Sequence, residues 1–234
     1  MQEREFVEEL SLLGINITDV QLKRLADFYK LLIEWNQKIN LTAITHEKEV
    51  YLKHFYDSLT LIKAVDLTKE LSLCDVGSGA GFPGIVLKIV FPNLKITLID
   101  SLNKRVIYLN DVIEKLGLND IKALHARMED YSRDNAEKFD IITARAVTST
   151  QILSEICVRT LKVDGLLVFM KGTCDDELAL ANSCFKKLNL ELVNTYKFNL
   201  PIENSNRTLV VIAKKQVTDK NYPRSIDKIK KSPL

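Results

Sequence analysis

Cysteine is scarce and scattered. Cys74, Cys157, Cys174 and Cys184 form no C-x-x-C pair, and only three histidines accompany them, which excludes zinc-ligand spacing and points to a reducing, cytoplasmic setting with no metal. Long apolar runs are missing too, so no membrane span is expected, and the opening MQEREFVEEL is acidic where a signal peptide is basic and then apolar. Charge of one sign is absent overall, with 33 basic against 31 acidic residues. That balance fails at the end of the chain: from Lys214 onward seven basic residues stand against Asp219 and Asp227. A basic tail on a mildly acidic body suits contact with a polyanion, because lysines that neutralise phosphates release counterions; a solvated, disordered end is the alternative.

What is present is enough apolar residue, 46% of 234, to bury one substantial core. The first third has helical periodicity. Thr18-x-x-Gln21 has the form of a capping box, and Val20, Leu22, Leu25, Phe28, Tyr29, Leu32 and Ile33 follow at helical spacing. A second helical stretch carries Val50, Phe55, Leu59 and Ile62. From Leu71 the pattern becomes short apolar runs separated by helices: LSLCDV, KITLID, IKALHA, FDIITARAV and GLLVFMK read as five strands. After a helix around Leu178 to Leu188, LELVNTYKF and RTLVVIAKK read as a terminal hairpin across the turn PIENSN. The expected organisation is a helical cap over 1–66, an α/β domain over 67–216 and a basic tail over 217–234.

The densest signal is DVGSGAGFPG, residues 75–84, with four glycines after a strand and before a helix. Read from Gly79 it fits G-x-G-x-x-G, the dinucleotide fingerprint; read from Gly77 it fits the G-x-G-x-G of many S-adenosylmethionine-dependent methyltransferases. Either way the backbone passes close to a ligand at a helix start. Asp100, roughly 20 residues on, is placed to accept from ribose hydroxyls or to cap the helix after it. The ribose reading serves both cofactors. The terminal hairpin favours the methyltransferase sheet, which closes with an antiparallel strand. Arg127-Met128-Glu129 follows the third strand, where methyltransferases commonly hold adenine; alone it reads as an exposed loop. Arg145-Ala146 and Lys171-Gly172 leave the fourth and fifth strands at the carboxyl edge, where ligands sit in open α/β sheets. An arginine there reaches a cofactor carboxylate or an RNA phosphate, or makes a surface ion pair. Trp35, His54, Tyr56 and Phe82 either stack on bases or pack in the core, and Asp57-Ser58 reads as a local hydrogen-bonding pair.

Taken together, WNQKINLTAIT, HFYDSL, DVGSGAGFPGI, LIDSLNKRVIYLN, FDIITARAV, MKG and YPR resemble the successive motifs of the RsmG (GidB) family, from about Trp35 to Arg224. The resemblance implies a class I S-adenosylmethionine-dependent methyltransferase, a Rossmann-like α/β fold with a mostly parallel sheet, behind a helical N-terminal cap. It implies methyl transfer to N7 of a guanosine in 16S ribosomal RNA, free or in the small subunit. It also implies that Gly77, Gly79, Phe82, Asp100, Met128, Glu129 and Arg145 form the cofactor site. Arg145, Lys171, Lys220, Arg224 and Lys228 are the expected RNA contacts, with the tail dispensable for cofactor affinity. After YPR the tail, SIDKIKKSPL, departs from the family's glycine-proline element.

The expected chemistry needs no acid-base residue. N7 of guanine bears an in-plane lone pair and no proton at neutral pH, so alignment with the methyl donor supplies much of the rate. A nicotinamide-dependent oxidoreductase and a non-catalytic RNA-binding module are the rival readings.

Overall fold

The computed structural model describes all 234 residues. Two helices, α1 (Glu3–Leu12) and α2 (Asp19–Ile39), open the chain. The capping box is real: Gln21 N donates to Thr18 Oγ1 at 3.3 Å and Thr18 N to Gln21 Oε1 at 2.9 Å. At the other end Asn40 takes the left-handed conformation, φ 50°. The Asn36 carboxamide oxygen then accepts from Leu41 N and Thr42 N at 2.6 and 2.8 Å. This gives the NQKINLT segment its turn.

The second helical stretch is less regular than its periodicity predicts. A short α3 (Glu47–Val50) runs into a π-helical turn, Tyr51–Tyr56, then α4 (Asp57–Leu59) and a 3₁₀ turn, Thr60–Lys63. π-turns frequently sit at functional sites.

Seven strands follow: β1 (Ser72–Val76), β2 (Lys95–Asp100), β3 (Ile121–His125), β4 (Phe139–Arg145), β5 (Leu161–Lys171), β6 (Leu190–Asn199) and β7 (Asn206–Lys214). Their order is β3-β2-β1-β4-β5-β7-β6, with β7 the antiparallel strand inserted beside β5. Strand β5 starts earlier than GLLVFMK suggests because Asp164, at φ 63°, carries an irregularity within the strand. Helices α5 (Gly84–Val90), α6 (Asn103–Lys115), α7 (Met128–Asp134), α8 (Thr150–Cys157) and α9 (Asp175–Lys187) alternate with the strands. The triplet read as a loop, Arg127-Met128-Glu129, opens α7.

Alternation along the strands divides the core between the two faces of the sheet. On β5, Val168 and Met170 belong to one apolar cluster and Leu167 and Phe169 to the other. The first cluster also takes Phe6, Leu10, Phe28 and Phe55, so the N-terminal helices share a core with α5 and α6. The second lies under α7, α8 and α9.

The basic tail is ordered, against the reading of a disordered end. It crosses that second face and finishes in α10 (Ile226–Lys231), with Pro223 and Ile229 buried. Burial of these two apolar side chains is the physical reason it does not behave as a solvated charge run.

Candidate active site

Two cavities open along the carboxyl edge of the parallel strands, one on either side of the segment leaving β4. The first, of about 300 Å³, lies at the ends of β1, β2 and β3. Its lining includes Val76 and Gly77, Ile99 and Ser101, and Met128 and Glu129. This is the crevice where the strand order reverses between β1 and β4, the usual ligand position in open α/β sheets.

Backbone conformation makes the first cavity. Gly77 sits at φ 68°, and a Cβ there would come within 2.7 Å of Val147 Cγ2; a side chain is excluded by conformation and by space. Gly84 is required for a different reason: a Cβ would meet Leu98 and, at 2.8 Å, Asp75 Oδ2. That close approach lets Gly84 N donate to Asp75 Oδ2 at 2.9 Å, satisfying the start of α5. Asp75 is fully buried with Oδ1 unpartnered, and burial pushes its carboxyl up to about 7.

Asp100 is 2% exposed, and it serves the helix entry that the sequence offers as one of its two roles while also holding the glycine loop. Its Oδ2 accepts from Gly79 N at 2.9 Å, and its Oδ1 accepts from Leu102 N at 2.9 Å. One carboxylate thereby ties the glycine loop to the entry of α6, with Arg105 3.5 Å away. Glu129 is different. It is 6% exposed, and its Oε1 has no hydrogen-bond partner, with only the Arg127 guanidinium facing it at 3.9 Å. That leaves a buried acceptor with free hydrogen-bonding capacity on the cavity wall.

Phe82 and Arg145 do not line the first cavity. Phe82 is 5% exposed, with its ring stacked on His54 at 4.4 Å and tilted against Phe28 at 5.5 Å. It packs where the helical region meets the loop because its apolar face is covered on both sides. Arg145 lies over the same ring at 5.2 Å and faces the second cavity, of about 380 Å³. The ion pair it makes is buried, not superficial: Nη1 donates to Asp57 Oδ2 at 3.1 Å, where Asp57 is 4% exposed. Arg207 Nε donates to the other carboxylate oxygen, Oδ1, at 3.0 Å. His54 completes the cluster. Burial first, and then the positive charge of Arg145, push its pKa down to about 3, so the ring is neutral.

Lys171, also on the second cavity, donates to Thr148 O at 2.6 Å and Glu177 Oε1 at 2.8 Å. Arg207 escapes a motif search because it is the first basic residue of a hairpin strand. Topology is the signal that finds it: β7 runs antiparallel, pairing Lys171 with Thr208, so its beginning arrives where β4 and β5 end. Ala146, in the left-handed region at φ 55°, turns the chain between the two cavities. It lines the second, while Val147 and Thr148 line the first.

Among the other expected RNA contacts, Lys220 and Lys228 are exposed, whereas Arg224 is engaged by Glu155 through two 2.6 Å hydrogen bonds. Tyr56 packs in the core, and Trp35 bridges α2 to α6 by donating to Asp111 Oδ2 at 2.7 Å. No cluster of three or more His, Cys, Asp or Glu is arranged to hold a metal.

The sheet order, the glycine loop and the crevice at the strand reversal define an S-adenosylmethionine-dependent methyltransferase of class I. Solved structures share the fold. A SAM-dependent methyltransferase from Aquifex aeolicus superposes with a TM-score of 0.52 over 72% of this chain and 94% of that one, at 16% identity. A putative sarcosine dimethylglycine methyltransferase from Galdieria sulphuraria gives 0.56 over 72% and 88%, at 14% identity. The family model for GidB, rRNA small subunit methyltransferase G, matches residues 21–207, and the chain belongs to that family. A ribosomal RNA small subunit methyltransferase G of Oceanobacillus iheyensis is 44% identical over the whole of both chains. Its counterpart in Staphylococcus saprophyticus is 44% identical over 97% of this chain and 96% of its own. The protein is therefore an enzyme that methylates small-subunit ribosomal RNA, and the oxidoreductase and non-catalytic readings fall.

Proposed function

We propose that the first cavity holds S-adenosylmethionine and the second receives the target guanine of small-subunit ribosomal RNA, with N7 as methyl acceptor. The observation that carries this is the pair of cavities flanking the β4 exit: one has a glycine-lined wall and an orphaned carboxylate, the other a converging Arg145, Lys171 and Arg207. Bound cofactor supplies an electrophilic methyl group on sulfonium sulfur. Gly77 lets the backbone approach it, and Glu129 Oε1 offers an acceptor to its adenine. Asp57 accepts one hydrogen bond from each of Arg145 and Arg207 and so holds the two cations side by side, which suits them to phosphate or to the guanine O6 edge. Asp57 itself is committed to both guanidinium groups and His54, its pKa lowered to about 3 by burial and by Arg145, is too weak a base to hold a proton near neutral pH, in keeping with chemistry that requires no general base. The helical segment 1–66 furnishes Lys53, His54 and Asp57 to this second cavity, so cap and sheet form the target site jointly.

Guanine N7 lies on the major-groove edge of structured RNA, so the base has to be unpaired or splayed to enter. The setting is the cytoplasm, where ribosomes are built; no helix here is long and apolar enough to cross a membrane. The test is to incubate naked ribosomal RNA and small subunits, both from a strain lacking the protein, with labelled cofactor and map the modified base. Label at guanine N7 is expected. Label on protein or at another ring atom would overturn the reading.

A further inference from the structure

The tail does more than carry positive charge. Ile226 and Lys230, four residues apart on one face of α10, line the same cavity as Gly77, Met128 and Glu129. Between them Ile229 is fully buried against the apolar layer of α8. We infer that the C-terminal segment 222–231 is a wall of the cofactor site, fixed by a buried Arg224–Glu155 clamp, and that cofactor affinity depends on it. This inference rests on the placement of the cofactor in the first cavity.

The clamp is built from an unusual number of directed contacts for an exposed end. Glu155 is completely buried on α8, one residue before the cavity-lining Ile156. Its carboxylate accepts from Arg224 Nε and Nη2 at 2.6 Å each and from Arg224 N at 3.1 Å. Arg133, on α7, donates from Nη2 to Arg224 O at 3.0 Å. The bidentate pair fixes both position and plane, and removing its cation strands a buried charge. The tail is thus registered against α7 and α8, the helices that bring Met128, Glu129, Ile152 and Ile156 to the cavity. Lys228 and Lys231 on the same short helix are exposed. RNA that engages these lysines and cofactor that contacts Ile226 then act on one element, and any coupling between the two ligands is reciprocal.

The experiment is calorimetric titration of the full-length protein with S-adenosylmethionine, in the absence of RNA. Ile226→Asp places an unpaired carboxylate on the apolar wall and is expected to weaken binding at least tenfold, and Ile226→Ala three- to fivefold. Ile226 is only half-buried, so both variants keep the circular dichroism spectrum of the parent. Arg224→Leu tests the clamp, and bound cofactor should slow tryptic cleavage after Lys228 in the parent but not in this variant. Gly77→Leu serves as the reference, since it blocks the first cavity from the opposite wall. Loss of affinity in Gly77→Leu with unchanged affinity in both Ile226 variants would overturn the tail's role alone. Unchanged affinity in all three would overturn the placement of the cofactor as well.

Discussion

The two cavities are built on opposite plans. The first is walled by the ends of β1, β2 and β3, the segment leaving β4 and residues of α7, α8 and α10, and the segment DVGSGAGFPG contributes Val76 and the left-handed turn at Gly77. The second is a network of charges from four distant places: the helical region (His54, Asp57), the β4 exit (Arg145), the β5 exit (Lys171) and the start of β7 (Arg207). The glycine turn at the first cavity is specified locally, because a glycine turn and a strand end recur as a unit. The second cavity is assembled by the fold, so its residues carry no spacing of their own.

The comparison breaks if substitutions in one cavity impair the other's ligand. Gly77→Leu has the largest expected effect: affinity for S-adenosylmethionine should fall more than a hundredfold by calorimetry, while filter-binding affinity for ribosomal RNA stays within twofold. The left-handed φ and the approach to Val147 are the reason. Arg145→Met comes next. It leaves Asp57 with one guanidinium partner, so a cost of roughly 3 kcal/mol in urea unfolding is expected, together with a fall of about a hundredfold in methyl transfer. Cofactor affinity should stay within twofold; an equal loss there would mean that Arg145 reaches the first cavity after all.

Acidity sharpens the contrast further, because Asp75, buried beneath the glycine loop, and His54, at the second cavity, are displaced in opposite directions. Asp75, raised to about 7 from 3.8, contributes stability that is present at low pH and lost as pH rises through 7. His54, lowered to about 3 from 6.5, contributes stability that is present above pH 6.5 and lost as pH falls toward 3. Between pH 5 and 6.5 the two oppose each other. Asp75→Asn should therefore unmask stability that rises with pH, and His54→Gln stability that falls with it, each by about 2 kcal/mol between pH 5 and 7. Parallel profiles for the two variants would contradict this. The smallest effect belongs to the surface: Lys220→Ala should lower the salt slope of RNA binding by about one, leaving cofactor affinity alone.

Legibility in the sequence follows the same division. The strands, the capping box at Thr18 and the terminal hairpin were readable because period and turn chemistry are local signals. The helical stretch from Glu47 to Lys63 was readable as helix but not as a π-helical turn, which is set by how Tyr51, Phe55 and Tyr56 pack under α1 and α2. Asp100 was readable as important, yet its two hydrogen bonds to the loop and to α6 depend on strand β2 lying beside β1. Phe82 is readable as a loop residue, but its packing against His54 and Phe28 is not, because those residues come from separate helical segments. The tail was open between polyanion contact and disorder; the Glu155 partner of Arg224 lies 69 residues away and has no sequence signature.

By itself the sequence determined the strand ladder, the glycine loop and the family, since each is written in contiguous residues whose conformational needs are local. Tertiary structure alone decided that Asp57 joins Arg145 to Arg207 and that Ile226 reaches the cavity of Gly77. Those contacts link positions tens to more than a hundred residues apart, and only strand order and the packing of buried faces bring such positions within hydrogen-bonding or van der Waals range.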